Sequence, residues 1–220
     1  MAIDTKKYYK DHKYCVIRNF LSKEMSYFLY QYALMRARRA ATFYISRYKD
    51  YRPDIDGTYE DKQAPRTYSC YADPAMETLL DKSTLKMREI TGLKLIPTYS
   101  YHRLYKHGDD LKKHRDRKSC DISTTICLGY DISNLSKEEQ QDYAWPIWVA
   151  SETLQPHKAP LKPGDMLVYR GERLDHWRLP FDGVNNGQVF LHYNKAEDTD
   201  NLYDGRPELG LPSGFKTHNG

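Results

Sequence analysis

Long apolar stretches are missing from this 220-residue chain, and no run approaches the roughly 18 consecutive apolar residues that a membrane-spanning helix requires. Residues 1–13 are charged and rich in tyrosine, and no apolar signal region follows them. The four cysteines are scattered and form no CxxC pair, which argues against a zinc finger or a disulfide scaffold. These absences predict a protein of a reducing compartment, with the cytoplasm as the expected location and no membrane partner.

A strong charge imbalance is also absent, because 34 basic and 30 acidic side chains leave a formal net charge of +4. Residues 112–118 nevertheless form a basic run that could attract an anionic ligand. No zinc-finger or RNP-type signature accompanies this run, so a nucleic-acid partner has little support but stays open. Internal repeats are lacking as well, and a composition of 40% hydrophobic and 29% charged residues is typical of one globular domain.

The N-terminal part, residues 13–92, contains the helical signals of the chain. It begins with a predicted strand at residues 13–20, after which Ser22 predicts the N-cap of a first helix. Apolar residues recur at helical spacing after this cap and predict its buried face. The residues of this predicted face are Met25, Phe28, Leu29, Tyr32 and Met35. Residues 48–65 are polar and contain proline and glycine, which predicts a loop.

A second helix has clear boundaries in the sequence. Asp73 predicts its N-cap, Pro74 its first position and Gly92 its end. The apolar residues that predict its buried stripe are Met76, Leu79, Leu80, Met87 and Ile90.

Short strands follow in residues 93–194. The predicted strands are residues 95–106, 120–130, 145–150, 165–169 and 187–193. Two helices followed by many strands favour an antiparallel sandwich, mainly β, with the helices packed outside it. Residues 195–220 are polar and rich in Gly, Asp, Asn and Pro, which predicts a tail or a surface lid.

One candidate metal site stands out in the strand-rich part. His114 and Asp116 form a His-x-Asp pair, and His176 follows 60 positions later. Side chains alternate along a strand, so the first two lie on one side of an extended segment, and a histidine from another strand can complete a set of three ligands. Two imidazoles and one carboxylate with open coordination positions are the arrangement of non-haem Fe(II) oxygenases. Because the bare motif is common by chance, the sequence around it decides whether it indicates a metal site.

The surroundings carry a family resemblance. Residues 105–116 read Y-x-x-G-x-x-L-x-x-H-x-D and resemble the corresponding stretch of Fe(II)/2-oxoglutarate-dependent dioxygenases, in particular the prolyl-4-hydroxylase-like branch. Residues 122–131 look like the next core strand of that branch. Residues 162–169, followed by His176, are similar to its G-D segment before the second histidine. The resemblance spans residues 99–193, nearly half of the chain, with all three ligands in order.

This resemblance implies a single dioxygenase domain over residues 1–220. Residues 13–92 would supply a strand and supporting helices, residues 93–194 a double-stranded β-helix (jelly-roll) core, and residues 195–220 the tail or lid. The implied catalytic metal ligands for Fe(II) are His114, Asp116 and His176, with 2-oxoglutarate and O₂ as co-substrates. The implied reaction is hydroxylation of a C–H bond in a protein residue, prolyl included, or in a small molecule, coupled to conversion of 2-oxoglutarate to succinate and CO₂.

The chain departs from the family pattern where a basic residue usually binds the distal carboxylate of 2-oxoglutarate. None of residues 186–190 is basic, and Gln188 stands where the prolyl-hydroxylase pattern has lysine. His192 lies on the same strand face. Arg103 is predicted to act as the substitute, because it shares a strand face with Tyr105, which matches a family tyrosine that contacts 2-oxoglutarate.

The predicted co-substrate residues are therefore Tyr105, Arg103, Gln188, His192 and Thr125, the last through its hydroxyl group. Arg170 and Arg178, close to the second histidine in sequence, are weaker candidates for the missing cation.

Three other functions remain open at the level of sequence. The missing basic residue favours a cupin-type metalloenzyme that does not use 2-oxoglutarate. The 20 tyrosines would suit a non-catalytic jelly-roll protein that binds a partner. The basic run at residues 112–118 motivates a nucleic-acid demethylase.

Overall fold

The computed structural model describes residues 4–151, 153 and 155–216. Five α-helices are present in this part of the chain: α1 (Thr5–His12), α2 (Lys23–Ile45), α3 (Pro53–Asp56), α4 (Pro74–Thr91) and α5 (Lys137–Gln140). The strands are β1 (Tyr14–Ile17), β2 (Tyr68–Tyr71), β3 (Leu95–Lys106), β4 (Leu111–His114), β5 (Ile122–Asp131), β6 (Trp145–Ala150), β7 (His157–Leu161), β8 (Met166–Arg170), β9 (Asp175–Arg178) and β10 (Asn185–Lys195). Short 3-10 helices cover Lys118–Cys120, Thr199–Gly205 and Ser213–Phe215.

The strands form two antiparallel sheets. Six strands lie in the order β1-β8-β5-β10-β3-β2, and four lie in the order β4-β9-β6-β7. One hydrophobic cluster joins α1, α2 and α4 to one face of the six-stranded sheet. A second cluster lies between the two sheets, where Cys127 and Leu167 of the large sheet pack with Ile147 and Val149 of the small one. The predicted architecture, mainly antiparallel β with helices outside, is confirmed.

Helix α4 follows its sequence signals closely. The side chain of Asp73 accepts a hydrogen bond from the backbone N–H of Ala75, Pro74 is the first helical residue, and Gly92 ends the helix at a φ of +70°. Of the predicted stripe, Met76, Leu80, Met87 and Ile90 are buried, and Leu79 packs against them from a partly buried position. The predicted helix is confirmed.

The predicted buried face of α2 is largely wrong, although its Ser22 cap is confirmed. Met25, Phe28 and Met35 are exposed, and the residues that point inward are mostly small: Ser26, Leu29, Tyr30, Ala33, Ala37 and Ala40. Small side chains let the helix lie close to the sheet, so their face is buried in preference to the bulkier apolar one.

Close packing of α2 also depends on two glycines in the sheet. Gly129 of β5 and Gly187 of β10 are paired with each other, and the ring of Tyr30 lies over both. A Cβ atom would lie 2.7 Å from that ring at Gly129 and 3.0 Å at Gly187, both closer than a normal contact. The two glycines therefore allow the helix to rest directly on the sheet.

The remaining elements divide into those with and without a sequence signal. The five strands predicted after residue 92 correspond to β3, β5, β6, β8 and β10, and the predicted first strand corresponds to β1. Helices α1, α3 and α5 and strands β2, β4, β7 and β9 were not predicted. In the described ranges, no helix is both long and apolar enough to cross a membrane.

The C-terminal segment up to residue 216 packs against the body of the domain. Arg206 is 3% exposed, and its guanidinium pairs with Glu77 of α4 at 3.0 Å and donates to the carbonyl oxygen of Thr98 in β3. Asp204 forms two hydrogen bonds with Arg117, at 2.9 and 2.8 Å. This segment thus connects α4 to the residues that follow β4.

Candidate active site

His114 and His176 lie opposite one another on neighbouring strands of the small sheet. His114 is the last residue of β4, and its Cα is paired with that of His176 in β9. Asp116 follows β4, and its backbone N–H donates to the carbonyl oxygen of Gly171 at 2.9 Å. The pairing of these two strands brings His176 beside His114 and Asp116, which are close to each other in sequence but distant from His176.

Backbone carbonyl groups set the orientation of both imidazoles. Nδ1 of His114 lies 2.8 Å from the carbonyl oxygen of Lys112, and Nδ1 of His176 lies 3.0 Å from that of Leu174. A carbonyl oxygen can only accept a hydrogen bond, so each Nδ1 carries the proton. In the neutral rings the lone pair is therefore on Nε2, which is the atom a metal ion would use.

The carboxylate of Asp116 completes the group. Its Oδ2 accepts a hydrogen bond from the hydroxyl of Ser123 at 2.6 Å, whereas its Oδ1 lies 3.6 Å from Nε2 of His114 and 3.4 Å from Nε2 of His176. A Cβ at Gly171 would lie 2.5 Å from Oδ2 of Asp116, so only glycine permits this close approach. Ser123 and Gly171 therefore hold the carboxylate with one oxygen aimed at both rings.

Electrostatics keep this carboxylate ionised. Burial raises the pKa of Asp116, but its contacts with His114 and His176 outweigh burial and hold the pKa well below its usual value. Burial lowers the pKa of His114, whereas the contact with Asp116 raises it, and the net effect is an increase. The site therefore favours the ionised form of Asp116, which is the form that can bind a cation.

These three residues fit a divalent metal ion. Their candidate ligand atoms all lie within 4.8 Å of one another, and they supply two imidazole nitrogens and one carboxylate oxygen. This donor set, on one side of an accessible cavity, leaves positions for further ligands and is suited to non-haem iron.

A second buried group, Cys70, Asp73 and His102, also has its polar atoms within 4.8 Å of one another. Here the two carboxylate oxygens of Asp73 share the hydrogen bond of the Tyr32 hydroxyl, at 2.9 and 2.8 Å, and the carboxylate lies 3.2 Å from Nε of Arg36. The guanidinium supplies the positive charge that a metal would bring, so we assign no metal to this group.

A cavity of about 330 Å³ opens beside the His114–Asp116–His176 group. Three arginines line it, and each has an aspartate partner. The pairs are Arg103–Asp61, Arg115–Asp175 and Arg117–Asp204, with N–O distances of 2.5, 2.7 and 2.8 Å. Their charges are therefore compensated within the protein.

Arg103, the predicted co-substrate cation, is 2% exposed and lines the cavity. Its Nη1 donates to the hydroxyl of Tyr105 at 3.0 Å, and its Nη2 pairs with Asp61. Asp61 also accepts a hydrogen bond from Tyr101. Asp61 lies in the region predicted as a polar loop, and nothing in the sequence indicated that it would fold over the cavity.

Thr125 and Gln188, two further predicted co-substrate residues, lie together between the sheets. The Thr125 hydroxyl donates to Oε1 of Gln188 at 3.0 Å. Nη2 of Arg178 lies 3.1 Å from both of these oxygens. Arg178, only a weaker candidate in the sequence, is thus the arginine that reaches this pair.

His192, the remaining predicted co-substrate residue, contacts the serine that holds Asp116. Its Nδ1 is 3.0 Å from the Ser123 hydroxyl, and its ring centroid is 4.5 Å from that of Tyr99. Burial lowers the pKa of His192 to about 4, so the ring is neutral at neutral pH. The residue lines the cavity and supports the serine that holds Asp116.

Comparison with known proteins identifies solved structures that share the fold of this chain. No family model matches the chain, and no curated protein is similar to it in sequence. Among solved structures, a Pseudomonas putida prolyl-4-hydroxylase is 14% identical with a TM-score of 0.61, over 87% of this chain and 97% of that one. The chain has the fold of the prolyl-4-hydroxylases.

Other solved structures share this prolyl-4-hydroxylase fold. A Trichoplax adhaerens prolyl hydroxylase in complex with a hypoxia-inducible-factor peptide is 14% identical, with a TM-score of 0.58 over 88% of this chain and 89% of that one. HygX from Streptomyces hygroscopicus, with nickel and 2-oxoglutarate bound, is 11% identical, with a TM-score of 0.57 over 99% of this chain and 95% of that one. These structures therefore share the fold of this chain at low sequence identity.

Proposed function

We propose that this protein is an Fe(II)- and 2-oxoglutarate-dependent dioxygenase that hydroxylates a C–H bond in a protein residue, prolyl included, or in a small molecule. The observation that carries the proposal is the convergence of Nε2 of His114, Nε2 of His176 and Oδ1 of Asp116 beside a cavity. The shared fold supports it, and we propose that the two sheets form the double-stranded β-helix core implied by the sequence resemblance.

Each residue of the group would have a separate task. His114, Asp116 and His176 would hold the metal ion, while the Ser123 hydroxyl keeps the carboxylate oriented. Bound Fe(II), together with O₂ and 2-oxoglutarate, would supply the oxidising power for hydroxylation, yielding succinate and CO₂. His176 is 2% exposed and its ring centroid lies 4.7 Å from that of Tyr169, so aromatic packing limits the access of water to this side of the site.

A cupin-type metalloenzyme without 2-oxoglutarate is the second candidate. The specific observation in its favour is the absence of a basic residue among residues 186–190. It requires the same three metal ligands, so only co-substrate binding separates it from the main proposal.

The nucleic-acid alternative has less support from the geometry than from the sequence. Lys112 lies 2.5 Å from a carboxylate oxygen of Asp110, and Lys113 and Arg115 both pair with Asp175. The basic run that motivated this alternative is therefore largely compensated by neighbouring aspartates.

Anaerobic addition of Fe(II) and then 2-oxoglutarate tests the proposal. We expect a weak visible charge-transfer band from the bidentate complex and release of succinate when air is admitted. His176→Ala should abolish the band, whereas His107→Ala, which removes an exposed histidine, should leave it unchanged. Metal binding without the band or succinate would favour the cupin-type enzyme, and the absence of metal binding would favour the binding protein.

A further inference from the structure

Arg178 lies at the centre of a buried polar cluster between the two sheets. It is 1% exposed, and its guanidinium lies 4.6 Å from the ring centroid of Trp145. Nη1 donates to the carbonyl oxygen of Trp145 at 3.0 Å, and Nη2 reaches Thr125 and Gln188. All of these partners are neutral.

Among the described residues, no carboxylate balances this charge. Three arginines are buried in the described part of the chain, and two of them have an acidic partner: Arg103 pairs with Asp61, and Arg206 pairs with Glu77. No Asp or Glu of the described residues lies within 4.0 Å of the Arg178 nitrogens. A guanidinium keeps its proton in proteins, so the positive charge persists despite its burial.

Unfilled hydrogen-bonding capacity accompanies the unbalanced charge. Nε of Arg178 has no acceptor, and neither does Nδ2 of Asn186, whose Oδ1 accepts a hydrogen bond from Gln188 at 2.6 Å. A buried charge without a counter-charge is costly, and so is a buried donor without an acceptor. The cluster therefore lacks an anionic acceptor, and a carboxylate would supply both the charge and the lone pairs.

The cluster lies close to the candidate metal site. Arg178 and His176 are two residues apart on the same face of β9, which places their Cα atoms about 6.6 Å apart. Tyr169 stands beside both: its ring packs against His176, and its hydroxyl experiences the charges of Asp116 and Arg178. The guanidinium and the candidate ligand His176 thus share one strand face and one aromatic neighbour.

We propose that Arg178 binds the distal carboxylate of the 2-oxo dicarboxylate co-substrate, together with the Thr125 hydroxyl. The inference rests on the proposed function and supplies the cation missing from residues 186–190. Gln188 stands at the position of the family lysine, and the guanidinium that β9 delivers lies 3.1 Å from its Oε1. The charge is thus provided from the neighbouring sheet and reaches the same place.

A pair of 2-oxo acids tests this assignment directly. 2-Oxoglutarate and pyruvate share the 2-oxo acid group that can bind a metal, but only 2-oxoglutarate has a distal carboxylate. Calorimetric titration into the Fe(II)-loaded protein without O₂ should show a clear preference of the wild type for 2-oxoglutarate. In Arg178→Met, the affinity for 2-oxoglutarate should fall about 100-fold while that for pyruvate changes little, because one partner of a buried charge pair is lost.

Two further variants separate this role from a structural one. Arg206→Met removes a buried arginine elsewhere and should retain the preference for 2-oxoglutarate, even if its unfolding temperature falls. Arg178→Lys keeps the charge without the planar fork and should retain part of the preference, and it is the variant to use if Arg178→Met does not fold.

Unchanged selectivity in the folded Arg178 variants, with normal binding by the wild type, would overturn this inference and leave the proposed function standing. If Arg103→Met, and not Arg178→Met, lost affinity for 2-oxoglutarate, the distal carboxylate would be assigned to Arg103 instead. A metal-loaded wild type that binds neither acid would overturn the proposed function and this inference together.

Discussion

Arg206 and Arg178 are buried to the same extent but have opposite surroundings. Arg206 lies in the C-terminal segment, where it pairs with Glu77 and donates to the carbonyl oxygens of Thr98, Tyr203 and Leu211. Arg178 lies between the sheets, where every hydrogen-bond partner is neutral. The charge of Arg206 is therefore balanced by a carboxylate, whereas the charge of Arg178 has no carboxylate partner among the described residues.

Under our proposal, this difference separates a structural arginine from one that binds a ligand. A protein can bury an ion pair when both charges and their hydrogen bonds are satisfied, and loss of one partner is then strongly destabilising. A lone buried cation brings no such stability, so its presence needs another reason. A carboxylate that binds only at the working site provides that reason.

Removal of the paired arginine should have the largest effect on stability. Arg206→Met would leave Glu77 buried without its cation, so we expect the free energy of unfolding to fall by about 3–5 kcal/mol. Urea denaturation followed by fluorescence measures this. Arg52→Met, which removes an exposed arginine from its contact with Asp54, is the control and should unfold near the wild-type midpoint. If Arg206→Met unfolded at the wild-type urea midpoint, the Arg206–Glu77 ion pair would contribute nothing to stability.

Asp61→Asn would convert the Arg103 site into one that resembles that of Arg178. Asp61 is 13% exposed in its side chain and balances a buried guanidinium, so we expect a loss of about 1–3 kcal/mol in the free energy of unfolding. Asp142→Asn, at an exposed pair with Lys162, should leave the urea midpoint unchanged. Equal midpoints for Asp61→Asn and the wild type would show that Arg103 does not depend on its aspartate.

Arg178→Met should behave in the opposite way in the absence of ligand. Removing an unbalanced buried charge should leave the free energy of unfolding unchanged or raise it by up to about 2 kcal/mol, because methionine fills much of the same space. Thermal and urea denaturation of the metal-free protein measure this. A loss comparable to that of Arg206→Met would contradict the comparison, because it would reveal a structural role.

A smaller effect of pH is expected in the C-terminal segment. Burial raises the pKa of Asp204, but hydrogen bonds from Arg117, Lys216 and Tyr71 outweigh burial and hold this pKa below its usual value. The stabilisation is therefore present above the pKa of the unfolded chain, near about 4, and is lost as pH falls through the lower pKa of the folded state. Asp204→Asn should flatten the dependence of the urea midpoint on pH below 5, and an unchanged slope would argue against this ion pair.

Local sequence signals predicted much of the fold. Asp73, Pro74 and Gly92 mark α4 because capping depends on residues next to the helix ends. Helix α2 had an equally clear cap at Ser22, but its predicted buried face was largely wrong, because a face of mostly small residues is buried and Tyr30 packs over the glycines of the sheet. That choice depends on the shape of a distant surface, which periodicity does not report.

The candidate site also contains residues that the sequence predicted and residues whose surroundings it did not. The spacing of His114, Asp116 and His176 could be read directly, because strand alternation and the family pattern constrain it. The environment of Arg103 and Arg178 could not, because it depends on which strands from two sheets meet and on the path of the loop that carries Asp61. Gly171 supports the candidate ligand Asp116 through a close approach that has no signature in sequence.

The most direct test is a crystal structure of the protein with Mn(II) and N-oxalylglycine, a non-reacting analogue of 2-oxoglutarate. We expect the metal to be bound by Nε2 of His114, Nε2 of His176 and Oδ1 of Asp116, with the distal carboxylate of the analogue against Arg178 and Thr125. A metal ion elsewhere would contradict the site, and a distal carboxylate bound to Arg103 or to solvent would contradict the role of the unpaired arginine.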